Sequence, residues 1–118
     1  MKIALLDARK ARSVLKRLIR DYNDIRIAVA WGYNGNLADI LMENSEKFRS
    51  VIFGLNGFST SPDLVERLIG IENAFIAKAD NGIFHPKLYL FLSGGKAEAI
   101  IGSANFTKGG LDRNHEAC

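Results

Sequence analysis

Apolar and polar residues recur along the chain with two distinct spacings. A return of apolar residues every three or four positions predicts amphipathic helices over 8–22, 37–48 and 62–70. Each helix has a residue that favours a helix start, respectively Asp7, Asn36 and Ser61. In the third helix the predicted buried side chains are Leu64, Leu68 and Ile69. Short apolar runs predict strands at about 2–6, 25–31, 51–55, 74–77, 86–93 and 97–102.

The order of these elements predicts the fold class. Strands that alternate with helices favour parallel pairing through right-handed crossovers. The short Gly-Gly connection between the last two strands predicts a hairpin, which adds antiparallel pairing. We therefore predict one α/β domain over 1–118, with a mixed, largely parallel sheet flanked by helices on both faces. A further strand is expected to begin near Cys118, so the chain is predicted to be truncated at its C-terminus, where a recognition domain would follow.

Composition narrows the class of protein. The 118 residues suffice for one core, and 47% apolar with 25% charged residues is usual for a water-soluble domain. Cys118 is the single cysteine, which excludes an internal disulfide and a cysteine-based metal site and favours a reducing, cytoplasmic compartment. No apolar run approaches the roughly 20 residues of a membrane helix. We therefore expect no membrane partner.

The positive charge is concentrated in the first predicted helix. Residues 1–20 hold seven basic residues and one acidic residue, against nine and twelve in residues 21–118, so the net +3 arises entirely in the first segment. A solvated helix face is the simpler interpretation. A surface for nucleic-acid phosphates is the functional one, and it would use Arg9, Arg12, Lys16 and Arg20.

Polar residues capable of chemistry flank the last two predicted strands. His85 and Lys87 project to the same side of one strand because side chains alternate along a strand. An imidazole and an ammonium group on a buried strand require an anionic partner or water, and a phosphate would serve. Gly102-Ser103-Ala104-Asn105 follows the next strand, and Asn114-His115-Glu116 follows a glycine turn. The spacing of histidines and carboxylates offers no metal site, and no nucleotide fingerprint is present.

His-x-Lys followed by Gly-Ser-x-Asn resembles the signature of the phospholipase D superfamily, whose members attack phosphodiesters. The resemblance covers about a quarter of the chain and extends to the Asn114-x-Glu116 pattern of its small nucleases. The family motif has Asp seven residues after the histidine, where this chain has Leu92. Superfamily nucleases without that Asp, including a restriction endonuclease branch, use a later Glu, and Glu116 matches it. The departure therefore favours a nuclease over a phospholipid-modifying enzyme.

The resemblance implies a role for each residue of the motif. His85 would be the nucleophile and form a phosphohistidine, Lys87 and Asn105 would neutralise the phosphoryl oxygens, and Glu116 would orient an imidazole. Ser103 is either a hydroxyl donor or a turn residue. The chain has one copy of a motif that acts in pairs, so the resemblance implies a homodimer with its site on the two-fold axis and no cofactor.

The sequence leaves several alternatives open. Trp31, Tyr33 and Phe58 follow strands, where α/β sheets bind ligands, and are either core or rim residues or base-stacking residues. Tyr33 and Lys108 are added to the predicted nucleic-acid-binding residues, and His115 is predicted to be structural. The leading function is a metal-independent DNA endonuclease of the restriction type. The alternatives are a nucleic-acid-binding accessory domain of a larger helicase-like enzyme and a phospholipid-modifying enzyme.

Overall fold

The computed structural model describes residues 2–30, 32–55, 60–78 and 85–102. The helices in these ranges are α1 (Ala8–Asp21), α2 (Asn36–Glu43) and α3 (Pro62–Leu68), with a 3₁₀ turn at Ser45–Lys47. The strands are β1 (Asp24–Val29), β2 (Phe48–Gly54), β3 (Ala74–Ala77), β4 (Lys87–Ser93) and β5 (Lys96–Ile101). Within these ranges no helix is long and apolar enough to cross a membrane.

The described strands form one mixed sheet in the order β3-β2-β1-β4-β5. β1, β2 and β3 pair in parallel, β4 is antiparallel to β1, and β5 is antiparallel to β4. Of these strands, β4 therefore runs opposite to the other four. The predicted α/β class, the largely parallel mixed sheet and the closing hairpin are confirmed.

One face of the sheet carries the core. Alternate residues of β1 are buried, and their neighbours in β2 and β4 on the same face are buried with them, namely Ile25, Ile27, Val29, Val51, Phe53, Tyr89 and Phe91. β1, β2 and β3 lie side by side in chain order, so right-handed crossovers place α2 and α3 on the same face. α1 contacts α2 and joins the same cluster. The predicted helices on the second face have no counterpart among the described residues and stay a prediction.

Helix α1 forms as its sequence predicts. The Asp7 side chain accepts a hydrogen bond of 2.9 Å from the backbone N–H of Lys10, which satisfies one free donor of the first turn. Its buried side chains recur at helical spacing, and they are Ala8, Ala11, Leu15, Leu18 and Ile19. At the other end the Lys47 ammonium donates to the carbonyls of Ile19 and Arg20 at 3.0 and 2.9 Å. A charged side chain thus caps the negative end of the helix dipole.

Three local predictions are wrong. Residues 2–6 form no strand, and Ile3 and Leu5 are 84% and 82% exposed because the segment pairs with none of the described strands. The second helix begins one residue earlier, with Gly35 rather than Asn36 at its cap, and it stops before Phe48. Ile69 is 74% exposed since α3 ends at Leu68 and leaves it beyond the last turn.

Phe48, which ends the second predicted helix, is buried as the first residue of β2 rather than on a helix. Pairing of β2 with β1 brings Phe48 opposite Ile25. A bulge follows between Ile25 and Arg26, which shifts the register of the remaining pairs. The apolar side chain is therefore compatible with either element, and strand pairing decides between them.

Candidate active site at the carboxyl edge of the sheet

The start of β4 lies beside the end of β1. Lys87 pairs with Val29, and the backbone N–H of Ala30 donates to the carbonyl of Pro86 at 2.8 Å. His85 and Lys87 therefore lie at the end of the sheet that is formed by the carboxyl ends of the parallel strands. The chain moves from β1 outward to β2 and β3 and then returns to the other side of β1, so this edge is also the topological switch point. Open α/β sheets bind their ligands at such a point.

The two side chains predicted to act together are in contact. The Lys87 Nζ atom lies 2.9 Å from Nδ1 and 3.2 Å from Nε2 of His85. An in-plane position this close to both ring nitrogens would collide with the carbon between them, so the ammonium lies over the face of the imidazole. His85 is exposed and Lys87 half-buried. The alternation argument for a shared side is thus confirmed, and an ammonium group and an imidazole lie together at this end of the sheet.

The second half of the predicted motif begins next to the first. Ile101 of β5 pairs with Leu88, and Gly102 follows it, so this glycine leaves the sheet beside Lys87. The other members of the predicted site, Ser103, Asn105, Lys108 and Glu116, lie outside the described residues, as do Trp31, Phe58 and His115.

Leu92, which occupies the motif's aspartate position, is remote from the site. It pairs with Asp24 of β1 and Ala97 of β5 near the opposite edge of the sheet. Five residues separate it from Lys87, which is about 17 Å along a strand. It also projects to the other face, since even and odd positions of β4 alternate. The residue at this position is therefore too far from His85 to contact it, and a leucine there is weaker evidence for a nuclease than the sequence alone indicates.

A group of polar residues that sequence reasoning missed holds the chain beyond β1. The backbone N–H of Gly32 donates to the Thr60 hydroxyl at 3.1 Å, and that hydroxyl donates to the carbonyl of Gly54. The backbone N–H of Ser61 donates to the carbonyl of Gly32 at 3.0 Å, and its hydroxyl accepts from the N–H of Asn34 at 3.1 Å. Thr60 is 2% exposed. The sequence signal is the run of small hydroxyl residues before Pro62, in which Ser61 is predicted to start a helix and no role is predicted for Thr60.

A side chain of α3 completes this attachment. Arg67 donates from Nη1 to the side-chain oxygen of Asn34 at 2.7 Å and to the carboxylate of Asp39 at 2.7 Å. Tyr33 lies between Gly32 and Asn34, both of which these hydrogen bonds hold, and its side chain is 58% exposed. The structure therefore excludes the core interpretation of Tyr33 and leaves the rim and base-stacking interpretations.

The basic residues predicted on α1 are divided between its two ends. The carbonyl of Arg20 accepts from Lys47, which immediately precedes β2, so Arg20 lies at the edge opposite to His85. Arg9 occupies the other end of a helix about 21 Å long. Arg9 and Arg20 are exposed, whereas Arg12 and Lys16 are half-buried. Binding of nucleic acid by these residues stays a prediction, and the geometry separates Arg20 from the site.

Two carboxylates away from the site are stabilised in their ionised form. Arg17 donates to Glu98 at 3.1 and 3.4 Å and the Tyr22 hydroxyl donates to it at 2.5 Å, and these hydrogen bonds hold the pKa of Glu98 below its usual value. The same carboxylate raises the pKa of Tyr22, because its hydrogen bond requires the protonated phenol. Hydrogen bonding to Arg26 lowers the pKa of Asp24. These pairs join α1 to β5 and extend along β1, so they are structural. In the described ranges no three His, Cys, Asp or Glu residues cluster as metal ligands.

Comparison with known proteins identifies the fold. No protein-family model matches the chain, and no curated protein matches it in sequence. Nuc from Salmonella typhimurium, a phospholipase D family member, has a similar structure, with a TM-score of 0.69 and 16% identity over 97% of this chain and 79% of Nuc. NucT from Helicobacter pylori is similar over 97% of this chain and 80% of its own, with a TM-score of 0.66 and 18% identity. These likenesses show that the chain has a phospholipase D-like fold.

Proposed function

We propose that this protein is a phosphodiesterase that cleaves DNA without a metal ion, with His85 as its nucleophile. The observation that carries the proposal is the Lys87 ammonium 2.9 Å from His85 Nδ1 at the switch point of the sheet. A phosphodiester seated there would place its anionic oxygens against the ammonium and its phosphorus within reach of the ring. Likeness to Nuc, a phospholipase D family member, supports the same class of chemistry.

The proposed reaction proceeds in two displacements. A neutral ring nitrogen of His85 donates its electron pair to phosphorus, the bond to the leaving oxygen breaks, and that oxygen takes a proton. Water then attacks the phosphohistidine and the phosphorus–nitrogen bond breaks, which restores the imidazole. Lys87 neutralises the phosphoryl oxygens in both steps. Asn105 and Ser103 would add donors to these oxygens, and Glu116 would orient an imidazole.

The leaving oxygen needs an acid that one copy of the motif does not supply. We propose that His85 of a second subunit provides it, in a homodimer with the site on its two-fold axis. Mixing wild-type with His85→Ala subunits at equal amounts would leave about a quarter of randomly paired dimers wild type. A shared site predicts activity near that quarter. Activity near one half, in proportion to the wild-type subunits, would show that each chain acts alone.

Cleavage of plasmid and single-stranded DNA in excess EDTA tests the chemistry. We expect the wild-type protein to cleave in EDTA, and His85→Ala to lose cleavage while it keeps its far-UV circular dichroism spectrum and melting temperature. Loss of cleavage in EDTA with recovery in magnesium would overturn the metal-independent mechanism. Binding of DNA without cleavage under every condition would favour the accessory-domain function instead. We also propose a restriction role, because the motif resembles that of the restriction endonuclease branch. We propose a cytoplasmic location because the chain has a single cysteine.

A further inference from the structure

The chain segment 32–35, which links β1 to α2 and is termed the clamped loop, is held unusually firmly for a surface loop. Four hydrogen bonds tie its backbone and one side chain to residues Thr60, Ser61 and Arg67, which lie 27 to 33 positions further along the chain. Thr60 is 2% exposed and its hydroxyl both accepts from the loop and donates to Gly54. Buried polar groups with satisfied partners fix a single local conformation.

The clamped loop presents an aromatic ring at the edge that holds the candidate site. Tyr33 lies between two anchored residues, Gly32 and Asn34, yet its side chain is 58% exposed. Ala30, three residues before it, donates to Pro86 beside His85. Three residues of chain span at most about 11 Å, so the backbone of Tyr33 stays within that distance of Ala30. The ring and the His85–Lys87 pair are thus accessible to one bound molecule.

We propose that Tyr33 is a stacking platform for a nucleotide base of the strand whose phosphate lies at His85. This inference rests on the proposed function and adds how the substrate is held. Bases stack on exposed aromatic side chains with little dependence on sequence, which suits an enzyme that recognises the phosphate by charge. A loop backbone fixed before binding loses little conformational entropy on contact, so the clamp strengthens the interaction. Asn34 and Arg67 are positioning residues, since they act through the loop.

Binding of a fluorescein-labelled single-stranded DNA oligonucleotide, measured by anisotropy in a His85→Ala background, tests the platform without cleavage. Tyr33→Ala is expected to weaken binding about 5- to 150-fold, the range for loss of one base–aromatic stack. Tyr33→Phe keeps the ring and should remain within about twofold of the parent. Phe75→Ala is the matched control, because Phe75 is 52% exposed but lies on β3, which β2 and β1 separate from β4. It should bind as the parent does.

An abasic oligonucleotide separates stacking from a general loss of binding. If Tyr33 stacks on a base, removing the bases across the site weakens parent binding, and Tyr33→Ala then adds no further loss. Asn34→Ala breaks the hydrogen bond from Arg67 without changing charge, and should weaken binding severalfold. That effect should vanish in the Tyr33→Ala background, which a purely structural role of Asn34 would not predict.

The outcomes distinguish this inference from the proposed function. Wild-type cleavage in EDTA together with equal affinities of Tyr33→Ala and its parent would overturn the platform and leave the nuclease intact. Equal losses for Tyr33→Ala and Phe75→Ala would also overturn it, since the effect would then be unspecific. A wild-type protein that neither cleaves DNA nor binds it measurably would overturn both proposals.

Discussion

Substitution of Gly32 by alanine tests how tightly the chain after β1 is packed. A Cβ atom at this position would lie 2.3 and 2.5 Å from two ring carbons of Phe53 and 2.8 Å from Cδ2 of Leu64. Carbon atoms approach favourably to about 3.5–4.0 Å, so each contact is a collision. Phe53 and Leu64 are both fully buried in the core and have little room to move.

The magnitude follows from two opposing terms. Extra volume in a packed core costs about 1–3 kcal/mol, and three collisions with immobile groups place Gly32→Ala at the upper end. Alanine also lowers the conformational entropy of the unfolded chain, which offsets about 0.4–1 kcal/mol of this loss in stability. We therefore expect a net loss of about 2 kcal/mol in the free energy of unfolding, equivalent to roughly 8 °C in Tm for a domain of this size.

Urea denaturation followed by far-UV circular dichroism measures this loss as a lower midpoint at an unchanged slope. Gly35→Ala is the matched control, because no heavy atom lies within 4 Å of its added Cβ and its φ of 175° is extended backbone. It should lower the free energy of unfolding by less than about 1 kcal/mol, because its methyl group meets no packed atom and alanine is only a weaker N-cap than glycine. In the double variant, Phe53→Leu should cost less in the Gly32→Ala background than alone, since the smaller side chain removes the collision. A wild-type midpoint for Gly32→Ala, or an equal loss for Gly35→Ala, would refute the reasoning.

Three further predictions address charge. Glu98→Gln should lower stability at pH 7 by about 0.5–1 kcal/mol, a value reduced because the Arg17–Glu98 pair is nearly half exposed. Since hydrogen bonds hold the folded pKa of Glu98 below the usual carboxyl value of 4.5, the wild-type advantage should be full above that pH and should disappear as pH falls through the folded pKa. Urea titrations at several pH values would show this dependence, and a constant difference would contradict the linkage. Lys87→Met should lower kcat for DNA cleavage about 10²- to 10³-fold with little change in Tm, and unchanged single-turnover kinetics would exclude charge stabilisation by Lys87. Lys47→Met should lower stability by about 0.5–1 kcal/mol through loss of the helix cap, and Tm measurements that match wild type would contradict that role.

Much of the molecule follows from local sequence. Two local features specify α1 within one residue. Its apolar side chains recur every three to four residues, and the Asp7 carboxylate accepts a hydrogen bond from the first turn. Strand periodicity and a two-glycine connection specify the β4–β5 hairpin. Alternation along a strand also places His85 and Lys87 on one side, so this part of the site is a local property of three consecutive residues. Local preferences suffice in these cases because each interaction joins residues close together in the chain.

The tertiary structure decided what depends on distant residues. Phe48 is apolar in any element, and pairing with Ile25 made it a strand residue. The clamp on the loop that carries Tyr33 joins residues 27 to 33 positions apart, and no short-range spacing encodes it. Such contacts depend on loop closure and on which strands become neighbours, so they exist only when the whole sheet has formed.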